Sequence, residues 1–206
     1  MYLARLRLKD SRTARSWVAQ PYRVHQRLCM ACEHDPRLLF RIEESEQGTQ
    51  ILVQSQGEPD WETAFADLPV LTSHEHKVYE PSFSAGQVLA FRLRANPTRK
   101  LSHKGADGKQ GKRVGLYRED EQRAWLARKA TAGGFEVLGV QLRDEGKLKS
   151  SIRRAGEEAW KLEMLAVRFD GLLRVTDVER FGAALRAGIG SGKGLGFGLL
   201  SIALPV

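Results

Sequence analysis

Cysteine is scarce in this 206-residue chain: only Cys29 and Cys32 occur, too few for a disulfide framework. Long hydrophobic runs are missing too; no stretch approaches the roughly 20 apolar residues that span a bilayer. The N-terminus MYLARLRLKD alternates apolar residues with charges and forms no apolar signal core. Near the basic segments there is no D-x-D or paired-carboxylate pattern suited to two magnesium ions. A P-loop is missing as well: around Gly192-Lys193 the pattern G-x4-G-K-[ST] would need Gly at Ala187 and Ser or Thr at Gly194. These absences lead us to expect a cytoplasmic protein with no membrane contact, no cofactor and no nucleotide cradle of the usual kind.

What is abundant is positive charge. The chain carries 33 Lys and Arg against 25 Asp and Glu, a net charge of +8, with 42% hydrophobic residues to build a core. The charge is segregated. Residues 1–27 hold seven bases and one acid, residues 28–85 three bases and eleven acids, and residues 92–113 eight bases and one acid. An acidic segment between two basic ones is the sequence mark of a polyanion-binding face.

Periodicity gives the elements. In MYLARLRL, Tyr2, Ala4, Leu6 and Leu8 share one face of a strand and Leu3, Arg5 and Arg7 the other. Pro21 opens a helix running to about Glu33. LLFRIEE (38–44) and QILVQSQ (50–56) form a hairpin, DWETAFADL (60–68) a short helix capped by Asp60, and KVYEPSF (77–83) a weak strand. The order then restarts: a strand at 87–97, a basic loop to about Lys112, a helix ending at Gly133-Gly134, and a strand at 135–142. WKLEMLAVRF and LLRVT flank Asp170-Gly171, a two-residue hairpin signal. Thr176 and Glu179 form a capping box for a helix ending near Ala187, and GLLSIALP closes as a strand. The expected class is α+β: two tandem ferredoxin-like (RRM-like) β-α-β-β-α-β domains, residues 1–84 and 85–206, the second with one extra strand and a glycine-rich loop.

On the helix that begins at Pro21, Val24, Leu28, Ala31 and Cys32 form the core stripe. His25 lies at its edge and Tyr22 one turn earlier, so both point into one cleft; Arg23 and Arg27 lie on the other side. An imidazole moves protons near neutrality, and a phenol orients a hydroxyl or a phosphate. That pair suits RNA cleavage, in which the substrate's own 2′-hydroxyl is the nucleophile. Cys29-x2-Cys32 beside His25 and His34 is half a zinc site on one helix, with no second pair, so no metal is expected. In GIGSGKGLGFG the six alternating glycines from Gly188 to Gly198 allow close backbone approach, and Lys193 is available for a phosphate. Arg92 and Arg94 lead into Arg99, Lys100, His103, Lys104, Lys109, Lys112 and Arg113, while KLKSSIRR offers Lys147, Lys149, Arg153 and Arg154. Both segments suit the phosphate backbones of an RNA stem, which is read by charge and shape.

MYLARLRL, PYRVHQRL (21–28), FRLRANP (91–97), AWLARK (124–129), F-D-G (169–171) and GIGSGKGLGFGLLSIA, in this order, resemble the CasE-type crRNA-processing endoribonucleases of type I-E CRISPR systems, within the RAMP superfamily. The resemblance implies metal-independent cleavage at the base of a repeat hairpin, leaving a 5′-hydroxyl, by an enzyme that stays on its crRNA stem as a subunit of the Cascade surveillance complex; a monomer is the default expectation for the free protein. It gives His25 the catalytic role and Tyr22 that of its partner, and places Arg128, Lys129 and the 147–154 segment on the stem. The alternative is a non-catalytic RRM-like RNA-binding subunit.

Overall fold

In the computed structural model, which describes residues 1–32, 37–100, 113–152 and 160–205, strand β1 (Tyr2–Leu8) buries Ala4, Leu6 and Leu8 and exposes Arg5. The alternation of the sequence is the cause, because successive side chains leave opposite faces of a strand. Then come α1 (Arg12–Val18), α2 (Pro21–Ala31), β2 (Leu39–Ser45), β3 (Gly48–Ser55), α3 (Trp61–Phe65) and β4 (Leu71–Val78). The sheet order is β2-β3-β1-β4, with β1 antiparallel to both its neighbours, which is the ferredoxin-like arrangement.

After residues 79–87 the pattern repeats with β5 (Val88–Ala95), α4 (Glu119–Ala132), β8 (Phe135–Ile152), β9 (Trp160–Val175), α5 (Val178–Ala187) and β10 (Leu200–Ala203), in the order β10-β5-β9-β8. A small ribbon, β6 (Thr98–Lys100) with β7 (Arg113–Gly115), lies between β5 and α4. Each sheet has its own apolar core, one around Leu6, Val24, Phe40 and Trp61 and the other around Leu93, Trp125, Phe169 and Phe181. No helix among the described residues is long and apolar enough to cross a membrane.

Four local expectations are corrected. Asp170-Gly171 is no hairpin turn and does not divide two strands: β9 runs unbroken through both residues, paired with β5 on one side and β8 on the other. The glycine serves a close approach. A Cβ on Gly171 would lie 2.1 Å from the Gly139 carbonyl oxygen, where β8 bulges between Val137 and Gly139. The strand expected at 77–83 is β4 at 71–78; nearly every residue of this edge strand is exposed, so LTSHEHKV carries no apolar alternation. The cap of α5 is Asp177, which accepts from the Arg180 N–H at 3.0 Å, in place of Thr176. Helix α1 falls between the first strand and Pro21, where no element is expected from the sequence; Ser11 caps it and Ala14 and Trp17 are its buried residues.

Candidate active site

Helix α2 starts because Pro21, at its first position, pre-sets the backbone dihedral and has no N–H to leave unsatisfied. Val24, Leu28 and Ala31 then anchor it to the first core. That anchoring turns Tyr22 and His25 towards the other domain. Tyr22 packs on a small cluster formed by Ala166 of β9 with Leu195 and Phe197 of the glycine-rich loop. His25 is half-buried against the same loop, so the pair sits at the seam where one domain supplies the side chains and the other supplies the wall.

The loop is a built structure. Ile189 N–H donates to the Gly198 carbonyl at 2.9 Å, and Gly198 N–H donates to the Arg94 carbonyl of β5 at 2.8 Å, closing the loop on itself and fixing it to the sheet. Between these ties lies a 3₁₀ turn, Lys193–Leu195, flanked by Gly192 (φ 82°) and Gly196 (φ 83°) in the left-handed region that favours glycine. Gly188, Gly190 and Gly198 take positive φ as well, so this path requires glycine at those positions.

Three groups surround the His25 ring. Phe40, fully buried on β2, lies nearly parallel to it, with an interplanar angle of 10° and centroids 6.1 Å apart. Cys29 Sγ is 3.7 Å from both ring nitrogens. Gly194 presses on the ring edge, its would-be Cβ 3.1 Å from Cδ2 and 3.2 Å from Nε2. Burial pushes the imidazole pKa below its ordinary 6.5. Among the described residues no carboxylate pairs with His25 to oppose that, so the ring is neutral and proton-accepting at pH 7.

The cations named by sequence fall into three sets. Lys193, on the loop, donates to the Ala187 carbonyl at 2.5 Å; burial first, then the nearby charges of Arg37 and Lys129, push its amine below the ordinary value. Arg23, Arg128 and Lys129 are exposed, and Lys129 lies 6.0 Å from the Trp125 ring. Lys147 and Lys149 are exposed on β8, Lys147 paired with Glu163 at 2.6 Å and 5.9 Å from the Tyr117 ring. A second set is engaged by acids. Arg27 grips Asp67 at 2.6 Å and the Ala64 carbonyl at 2.8 Å. Arg92 pairs with Asp170 and, at 3.5 Å, with Glu43. Arg94 pairs with Glu145 at 2.6 Å and stands 4.9 Å over the Phe197 ring. Arg92 and Arg94 line a cleft of about 1060 Å³ between the sheets that neither Tyr22 nor His25 borders. The third set, Arg153 and Arg154, lies outside the described residues, as do His34 and most of the basic loop before Arg113.

Phe40, Cys29, Arg37 and the Gly194 contact went unnoticed in the sequence as parts of this site. Only Cys29 carried a signal, its i, i+4 spacing from His25, and it was weighed there as a metal ligand. Among the described residues no group of three or more His, Cys, Asp or Glu is arranged to hold a metal.

The family model described as CRISPR associated protein matches residues 1–204. The CRISPR-associated endoribonuclease Cse3 of Thermus thermophilus is 40% identical over 218 residues, covering 98% of this chain and 100% of that protein. The CRISPR system Cascade subunit CasE of Escherichia coli is 30% identical over 216 residues, covering 98% and 99%. Among solved structures, a CRISPR endoribonuclease Cse3 bound to 19 nt RNA superposes with a TM-score of 0.85 at 40% identity, covering 98% of this chain and 100% of that one.

Proposed function

Because this chain belongs to the CRISPR-associated protein family, we propose that it is an endoribonuclease that cuts CRISPR precursor RNA at the base of the repeat hairpin without a metal ion. The observation that carries this reading is the meeting of Tyr22 and His25 from α2 with the glycine-rich loop at the domain seam. Relatives called endoribonuclease and Cascade subunit, aligned along almost the whole chain, agree with it.

Neutral His25 accepts the proton of the substrate's 2′-hydroxyl. That oxygen bonds to phosphorus, the bond from phosphorus to the 5′-oxygen breaks, and the leaving oxygen takes a proton from solvent to become a 5′-hydroxyl. Tyr22 holds the phosphate or the 2′-hydroxyl in line. Lys193, Arg128, Lys129, Arg23, Lys147 and Lys149, with Arg153 and Arg154, contact the RNA backbone. Arg27, Arg92 and Arg94 are held by Asp67, Asp170 and Glu145 in the RNA-free protein, as Lys147 is by Glu163, so each would exchange a carboxylate for a phosphate on contacting RNA. Residues 1–84 thus carry the proton chemistry, and residues 85–206 carry the loop and the basic hairpin. After cleavage the protein stays on the crRNA stem within a Cascade complex in the cytoplasm; before it, the protein is a monomer.

The test is cleavage of a labelled hairpin repeat RNA in EDTA by the native protein and by His25→Ala. The expected result is one cut by the native protein, with the variant slower by about 100-fold or more and its RNA affinity retained. Cutting only after magnesium is added would sink metal independence. Binding without cutting under both conditions would leave a non-catalytic RNA-binding subunit.

A further inference from the structure

Of the loop's six glycines, Gly194 is the one whose backbone does not ask for glycine. It lies inside the 3₁₀ turn Lys193–Leu195, and its φ is outside the left-handed region, whereas Gly188, Gly190, Gly192, Gly196 and Gly198 all have φ between 72° and 89°. An alanine there is conformationally permitted and would restrict the unfolded chain, which ordinarily stabilises. The space is what is reserved. The three atoms nearest a Cβ on Gly194 all belong to His25: Cδ2 at 3.1 Å, Nε2 at 3.2 Å and Cγ at 3.6 Å. Two residues on, a Cβ on Gly196 would meet the Phe40 ring at 3.2 Å. The loop therefore lays consecutive alternate glycines over two stacked rings, one on His25 and one on Phe40.

We infer that Gly194 is a positioning residue for RNA cleavage, its missing side chain seating the His25 imidazole between the 3₁₀ turn and Phe40. This rests on the catalytic reading of His25. A methyl group at 194 needs a few tenths of an ångström more room. Phe40 is fixed in the first core and Gly194 is tied into the closed loop, so the ring of His25 is what moves. It slides outward, away from the position in which it meets the 2′-hydroxyl and towards water. A displacement of that size in a proton-transfer group costs activity while leaving the RNA-gripping cations where they were.

The experiment compares the native protein, Gly194→Ala and His25→Ala in single-turnover cleavage of hairpin repeat RNA, with RNA affinity and melting temperature measured alongside. In parallel, the His25 resonances of RNA-free native and Gly194→Ala protein are titrated by NMR. Gly194→Ala is expected to melt and bind as the native protein does and to cleave about tenfold to a hundredfold more slowly, with His25 titrating at higher pH as its ring gains water. Native cleavage together with an unmoved His25 titration would overturn the inference. So would unfolding of Gly194→Ala, because the glycine would then serve the loop itself. A moved titration with cleavage unchanged in both variants would instead overturn the catalytic reading of His25 and leave the steric seat standing.

Discussion

At His25, the same packing that orients the ring also sets its charge. Phe40 and the Gly194 turn strip water from the imidazole, and with no carboxylate partner among the described residues the neutral form is favoured. Linkage fixes the sign of the consequence. The unfolded chain holds the His25 proton at the ordinary value of 6.5, and the folded protein releases it at lower pH. Between those points the unfolded state binds more protons, so this residue's contribution to stability is fully present above 6.5 and is lost progressively as pH falls from there through the lower folded-state value. His25→Gln removes the titration. The melting temperature of the RNA-free native protein should therefore fall more steeply than that of His25→Gln as pH drops below 6.5, and parallel curves would refute the desolvated ring. A neighbouring consequence concerns Lys193. Its amine, crowded by Arg37 and Lys129, favours an arriving phosphate that relieves the repulsion.

Among the elements, the long β8–β9 pair separates what sequence can announce from what only packing decides. Asp170-Gly171 has the composition of a turn, yet Gly171 is needed because the bulged β8 backbone comes so close that Gly139 O and Val140 Cα leave no room for a Cβ. Those atoms are main chain and cannot rotate aside. Gly171→Ala is expected to cost about 2–3 kcal/mol, a fall in melting temperature of about 4–12 °C for a chain of this size, measurable by calorimetry; a change under about 1 kcal/mol would contradict the close approach. The β1 alternation, the Pro21 start of α2 and the Asp60 cap were all legible because each is local: a period, a dihedral, a single side-chain acceptor. Strand β4 was misplaced because its side chains face water, so burial wrote no pattern into it. At the site, the helical spacing of Tyr22 and His25 was legible for the same local reason. The seat beneath His25 was not, since Phe40 and Gly194 are 15 and 169 positions away from it in the chain; Phe40 reaches it through the packing of the first domain, and Gly194 only when the two domains dock.

That docking is itself held by specific bonds, and the whole molecule's activity depends on them. Arg41, on β2 of the first domain, is 3% exposed; it donates to Glu43 at 2.9 Å and crosses to the Leu199 carbonyl at 3.1 Å and Ser201 Oγ at 2.9 Å beside and within β10. Gln54 of β3 donates to the Leu185 carbonyl at 3.0 Å, near the C-terminus of α5. Burial alone would raise the Glu43 carboxyl, but the charge and hydrogen bond of Arg41, aided by Gln50 and Arg92, bring it below the ordinary value. Arg41→Met keeps the bulk, removes every donor of residue 41 and leaves that carboxylate partly buried with the neutral Gln50 amide and the more distant Arg92, a loss of about 3 kcal/mol or more. The effect on function has a distinct signature. The exposed cations proposed for RNA contact on α4 and β8 belong to the second domain, so affinity for the hairpin should change little. The His25 ring is delivered by the first domain onto a loop of the second, so cleavage per folded molecule should fall about tenfold or more even at a temperature where the variant stays folded. Single-turnover rates and affinities at that temperature decide it: equal rates in native and Arg41→Met protein would mean that the two domains stay aligned without this bond, and that the packing of Tyr22 on Leu195 and Phe197 suffices to hold the seam.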